Sequence, residues 1–146
     1  DVRMITEHVL PDYGSWRGDH YKSSDEANAA GWLRYLFVRE EGDELLIGQA
    51  IPSEWLSPGK VCGVERAATH FGPVSIRYAA TANSVTASIE GPTRNPPKRI
   101  RVRFRLPDGA RSGKVTVNGR PARMDAGAWV SLPGDIGGAV VEVGLR

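Results

Sequence analysis

The chain has 146 residues, 40% of them hydrophobic and 25% charged, with a net charge of +2. That length fits one domain, or one domain plus part of another, and lets about two thirds of the unfolded chain's surface leave water on folding. A net charge so near zero excludes a strong electrostatic drive toward nucleic acid or an anionic membrane, and no apolar run approaches the roughly 18 residues that a spanning helix needs.

The single cysteine, Cys62, excludes an internal disulfide framework and a multi-cysteine metal site. It leaves secreted, periplasmic and cytoplasmic locations all open. The opening DVRMITEH has neither the basic region nor the apolar region of a signal peptide. It begins at Asp1 in mid-pattern, without an initiator Met, so the expectation is a piece of a longer polypeptide.

Residues 1–23 are polar and aromatic, with Pro11, Gly14 and Gly18 as breakers. Tyr13, Trp16 and Tyr21 lie beside Asp12, Asp19, His20, Arg17 and Lys22. A sugar-facing loop needs that mixture: ring faces stack on pyranose C–H surfaces while carboxylates and basic groups bond the hydroxyls. Tyr13, Trp16, Asp19, His20 and Tyr21 are therefore candidate substrate-binding residues. The alternative is a connector whose aromatics plug the underside of a helix.

Ser23 followed three residues later by Glu26 is a capping box, the start signal of a helix. Over residues 25–38 the apolar positions Ala29, Trp32, Leu33, Leu36 and Phe37 recur at helical spacing, and Ala27 and Ala30 widen the buried face. Such a helix is expected to be covered on more than one side, one by this chain and one by a partner. Gly42 reads as its C-terminal stop.

Beyond Gly42 the period changes from 3.6 to 2. Leu45, Ile47, Ala50 and Ile51 read as a buried strand ended by Pro52, with Trp55 and Leu56 tucked inward from the turn that follows. Strands are predicted at 60–67, 74–80, 84–90 and 99–106. In the last of these Ile100, Val102, Phe104 and Leu106 point one way and Arg99, Arg101, Arg103 and Arg105 the other, the pattern of an antiparallel strand with one wet face. Residues 114–117 close on Asn118-Gly119, a type I′ hairpin signal, and 121–124, 128–132 and 139–145 complete the set. The expected fold is mainly β: an antiparallel two-sheet β-sandwich of about eight or nine strands preceded by one α-helix. Residues 1–42 would be an irregular aromatic loop and helix that end a helical domain, and 43–146 the sandwich.

Four arginines on one strand face, about 7 Å apart, could track a phosphate backbone or grip an acidic polysaccharide. Acids elsewhere nearly cancel the charge, and Glu90, Glu142 or Asp125 could pair across strands, which favours a solvated face. His70, beside Phe71 at a corner, reads as a structural hydrogen-bonder. Cys62 reads as a small apolar residue. No motif for a metal, cofactor, phosphate loop or nucleophile occurs. Glycoside hydrolysis needs two carboxyls facing each other across a cleft. Glu7, Asp12 and Asp19 are the acids in the aromatic segment, and nothing in their spacing makes two of them converge.

Taken together, LRYLFVREEGDELLIGQAIPSEWLSPGKV, VERAATHFGPVSIRY and VTVNGR resemble the C-terminal end of bacterial glycoside hydrolases with an (α/α) six-hairpin barrel, of the α-L-rhamnosidase-like kind. The resemblance spans roughly residues 24–120. It implies a carbohydrate-active parent enzyme whose upstream helical catalytic domain holds the acids. The sandwich would then be an accessory, structural region with no complete active site of its own. It also implies that residues 10–22 form a loop on the sugar side, with carbohydrate as the ligand and neither nucleic acid nor membrane as a partner. Two other readings stay open. One is a stand-alone carbohydrate-binding module stacking sugars on Tyr13, Trp16, Tyr21 or Trp129. The other is an interaction module using the basic face from Arg99 to Arg105.

Overall fold

The computed structural model describes residues 23–146, with side chains from residue 27 onward. It divides between Arg34 and Tyr35 into two compact units. Helix α1 spans Ser23–Phe37. Trp32 and Leu33, expected on its buried face, are 63% and 60% exposed. Together they form an apolar surface that is exposed among the described residues.

The protein is mainly β, with two sheets arranged as a sandwich. The period changes at Val38, four residues earlier than Gly42 had indicated. Strand β1 (Val38–Glu41) follows α1 directly, and Val38 is buried while Arg39 is exposed. It pairs with β2 (Glu44–Ile47), so Val38–Glu41 belong to the sheet. Gly42 is thus a hairpin residue and not a helix stop: the two-residue connection has Gly42 at φ 60°, as a type II′ turn requires. β2 ends at Ile47 because Gly48, at φ 70°, turns the chain, so Ala50 and Ile51 lie outside the strand. In the 3-10 turn Ser53–Leu56, Leu56 is buried but Trp55 stays 38% exposed, tilted against Phe37 at 6.1 Å.

From there the chain crosses to the second sheet and meanders through β3 (Val61–Ala67), β4 (Val74–Ala80) and β5 (Ser84–Glu90). It returns to the first sheet as β6 (Arg99–Arg103), which lies parallel to β2, the one exception to antiparallel pairing among the described residues. Then come β7 (Ser112–Val117) and β8 (Arg120–Pro121) in the second sheet, β9 (Trp129–Pro133) in the first and β10 (Gly138–Leu145) in the second. The orders are β1-β2-β6-β9 and β3-β4-β5-β10-β7-β8. Asn118 and Gly119 both take positive φ, 48° and 75°, and form the expected type I′ turn between β7 and β8. The strand expected at 121–124 reduces to β8 and a single bridge from Met124 to Val130.

Alternation decides which faces meet. Val74, Ile76, Tyr78 and Ala80 of β4, Val85, Ala87 and Ile89 of β5, and Val141 and Val143 of β10 point inward from the six-stranded sheet. Leu45 and Ile47 of β2 and Ile100 and Val102 of β6 are buried from the other sheet, joined by Phe104, which continues the alternation past the end of β6. Each such aliphatic or aromatic side chain contributes about 1.5–3 kcal/mol on leaving water. An exposed ion pair contributes about 0–1 kcal/mol. The core, and not the surface charges, therefore holds the sheets together.

The Tyr78 hydroxyl is a polar group inside it. Tyr78 is fully buried, packs edge-on against Phe104 at 5.7 Å and donates its hydroxyl to the Arg103 carbonyl at 3.0 Å, joining β4 to β6 across the sandwich. Gly48 lies beneath that hydroxyl, where an added Cβ would come within 2.1 Å of it. Burial, with Cys62 adding to it, pushes the phenol far above its usual value.

Tyr78→Phe should leave the Arg103 carbonyl without its partner and cost about 1–3 kcal/mol, read from urea unfolding at pH 8. Because the folded-state pKa is raised, the contribution of Tyr78 is complete below about pH 10 and is lost as pH rises above that. The gap between wild type and Tyr78→Phe should therefore narrow between pH 9 and 11.

Candidate functional site

The outer face of the four-stranded sheet carries the arginines singled out by sequence. Arg99 pairs with Glu44, its register partner on β2. Arg101 donates to Asp125 at 3.2 Å, and its guanidinium lies 4.7 Å from the centroid of the Trp129 ring. Arg103 lies 5.4 Å from the same centroid and donates to the Gln49 carbonyl at 3.1 Å. Between the β1 and β6 arginines, Leu46 stands in register with Arg39 and Arg101 and is only 6% exposed, flanked by their alkyl stems.

Asp125 organises this corner. Its Oδ1 accepts from the Gly127 and Trp129 amides, both at 2.9 Å, and its Oδ2 accepts from Arg101. The Trp129 amide first, then that of Gly127 and the Arg101 guanidinium, hold the carboxyl below the usual carboxylate range. Of the three acids expected to meet the arginine row, Asp125 alone does so. Glu90 and Glu142 belong to β5 and β10 of the other sheet. The sequence could not distinguish them, because alternation assigns a face but not a sheet.

This face is therefore largely neutralised from within. Two guanidinium groups lie against the Trp129 ring, at 4.7 and 5.4 Å from its centroid, and would compete with a sugar stacking on the face they occupy. Beside it, a cleft of about 600 Å³ is lined by Arg103, Arg105, Asp108, Ser112 and Asp125, with Arg105 exposed at its edge. Buried Arg103 Nε and Gln49 Oε1 have no hydrogen-bond partner among the described residues.

The six-stranded sheet presents a different surface. A groove of about 560 Å³ crosses β3, β4 and β5 on the face opposite the core. Its floor comes from the outward residues of the alternating strands: Ser75 and Arg77 of β4, Ser88 and Glu90 of β5. The register places Ser75 against Glu90 and Arg77 against Ser88. On β3 the ladder skips between Val64 and Ala67, so Glu65 and Arg66 together oppose Ser75. Arg66 adopts φ 50°, and its amide, displaced from the ladder, donates to Ser75 Oγ at 3.1 Å. Gly91 closes one end at φ 84°; a Cβ there would come within 2.3 Å of the Pro73 carbonyl.

Glu65, Arg66, Arg77 and Glu90 are all exposed, and among the described residues none of them forms an ion pair. Two acids thus face one groove, separated by the width of β4, or roughly 10 Å. A general acid for glycoside hydrolysis needs a carboxyl whose pKa is raised by a dry, enclosed site. These exposed acids lie in an open groove and do not provide one. Sequence reasoning missed this groove, although the outward Ser, Arg and Glu of VSIRY and SVTASIE were visible in the alternation. Their assembly depended on register and on a bulge.

Other predicted residues are placed as follows. The His70 amide donates to Glu40 Oε1 at 2.9 Å, and its ring meets Phe71 edge-on at 5.9 Å, a structural arrangement. Cys62 is partly buried, which pushes its thiol pKa up, and Sγ lies 4.0 Å from the Trp55 carbonyl. Tyr13, Trp16, Asp19, His20 and Tyr21 lie outside the described residues, as do the acids Glu7 and Asp12 and the side chains of Ser23 and Glu26. No group of three or more His, Cys, Asp or Glu suited to a metal ion occurs among the described residues. No protein-family model, curated protein or solved structure matches this chain.

Asp125→Ala removes the acceptor for two amides and a guanidinium, so it should lower the thermal unfolding midpoint at pH 7. The depressed carboxyl contributes above its unfolded-state value of about 3.9 and loses that contribution as pH falls through the folded value. Calorimetry should accordingly show the wild-type advantage shrinking below pH 4.

Proposed function

We propose that this chain is the C-terminal accessory and structural β-sandwich region of a carbohydrate-active enzyme. The parent would be a bacterial glycoside hydrolase of the (α/α) six-hairpin-barrel, α-L-rhamnosidase-like kind. The observation that carries this reading is the apolar surface of α1 that is left exposed among the described residues. Trp32 and Leu33 are exposed, and the helix runs into β1 without a linker residue. Trp32 and Leu33 are 63% and 60% exposed, so covering them contributes about 2–4 kcal/mol, enough to favour a helical layer packed against them. The linked motifs support the same assignment. Trp55-Leu56 lies in the 3-10 turn, and Thr69 to Ser75 makes the corner into β4, where the Gly72 amide donates to the Thr69 carbonyl at 3.0 Å. In this role the sandwich supports the catalytic barrel, and residues 10–22 contribute a loop on the substrate side.

Two measurements test this. With 4-nitrophenyl α-L-rhamnopyranoside, the chain alone should show no turnover, whereas the polypeptide extended upstream should hydrolyse it. In that longer protein, Trp32→Asp with Leu33→Asp should loosen the helix from its neighbours and speed proteolytic cleavage near residues 37–43 at least tenfold. Turnover by the chain alone, or an upstream region without paired helices, would overturn the proposal.

A further inference from the structure

The groove across β3, β4 and β5 has no part in the structural role just described, and its chemistry is specific. Charges on the four-stranded sheet are matched within the fold: Arg99 to Glu44, and Arg101 to Asp125. In the groove, two carboxylates and two guanidinium groups lie close together without forming an ion pair among the described residues. Hydroxyls of Ser75 and Ser88 stand between them, and Ser75 is fixed by the Arg66 amide at 3.1 Å.

The interleaving of signs selects the ligand. An anionic chain that meets Arg66 and Arg77 also meets Glu65 and Glu90, and a cationic chain meets the reverse conflict. A polyol avoids both conflicts, because each hydroxyl donates to a carboxylate or accepts from a guanidinium at no net charge. Val64 and Pro73 give the groove apolar contacts beside the polar floor of Ser75, Arg77, Ser88 and Glu90; they suit the C–H faces of a sugar ring, and a peptide is the competing occupant that the hexapeptide probe tests. The volume of about 560 Å³ is within the range of small-ligand sites, roughly 300–1,000 Å³.

We infer that the β3–β4–β5 groove is a binding site for a neutral oligosaccharide, held by Glu65, Arg66, Arg77 and Glu90. The choice of a sugar rests on the reading of the chain as part of a carbohydrate-active protein. The groove lacks an aromatic platform, so it binds weakly, with a dissociation constant in the millimolar range. Its role would be to keep a substrate chain close to the parent enzyme.

The test is an amide chemical-shift titration of the whole chain with three neutral probes, rhamnotetraose, galactotetraose and cellotetraose, each taken to 20 mM. Tetragalacturonate and a Lys-Glu alternating hexapeptide serve as charged probes. The expected result is saturable shifts at Ser75, Arg77, Ser88, Glu90 and Gly91 with at least one neutral probe. Arg77→Ala with Glu90→Gln should weaken that binding at least tenfold while leaving the dispersed spectrum intact. Ser88→Ala, a smaller change, should weaken it two- to fivefold. Shifts with none of the neutral probes, shifts confined to other surfaces, or tighter binding of either charged probe would overturn the inference. None of these outcomes alters the turnover and proteolysis results that test the parent-enzyme reading, so the two ideas fail separately.

Discussion

The hydroxyl of Tyr78 is buried between two sheets that are otherwise joined by apolar contacts, and it has one acceptor, the Arg103 carbonyl. A buried phenol without such a partner would cost about as much as a large side chain gains by burial, so the fold must bring that carbonyl to it. Several features follow. Gly48 must be glycine, because any side chain there would enter the space the hydroxyl occupies. β2 must stop at Ile47 to make that turn. The backbone of β6 is fixed at Arg103, which in turn sets its guanidinium against Trp129 and the Gln49 carbonyl. The basic row that stands out in the sequence is, in the fold, the outer side of a strand positioned from within.

The two outward faces differ accordingly. On the four-stranded sheet, backbone carbonyls, carboxylates and an indole ring engage three of the four arginines, so the charge is used in the structure itself. On the six-stranded sheet, the bulge at Glu65 and Arg66 brings a third strand's charges beside those of β4 and β5 without pairing them. A bulge on an edge strand also discourages pairing with another chain. The helix is the second unsatisfied element, with Trp32 and Leu33 exposed among the described residues.

Much of this architecture was legible in the sequence, because the relevant signals are local. VSIRYAA, SVTASIE and RIRVR alternate strictly enough to fix both strand and face, and Asn118-Gly119 fixes a turn. Ambiguity arose where one residue serves two rules. Gly42 stops helices and also opens type II′ turns, and only the pairing of Val38–Glu41 with Glu44–Ile47 decides between them. Trp55 is hydrophobic enough to be expected inside, yet it lies at the surface against Phe37. The parallel pairing of β2 with β6, the partnership of Tyr78 with Arg103 and the floor of the groove all join residues far apart in the chain. No periodicity encodes such pairings.

If Tyr78 and the core around it make the two sheets one cooperative body, native-state hydrogen exchange measures this directly. The amides of Ile76 and Tyr78 in β4 and of Ile100 and Val102 in β6 should exchange with the same opening free energy, equal to that of global unfolding, and with the same dependence on denaturant. A markedly lower opening energy for β6, with the four-stranded sheet unfolding while the other stays protected, would contradict the account.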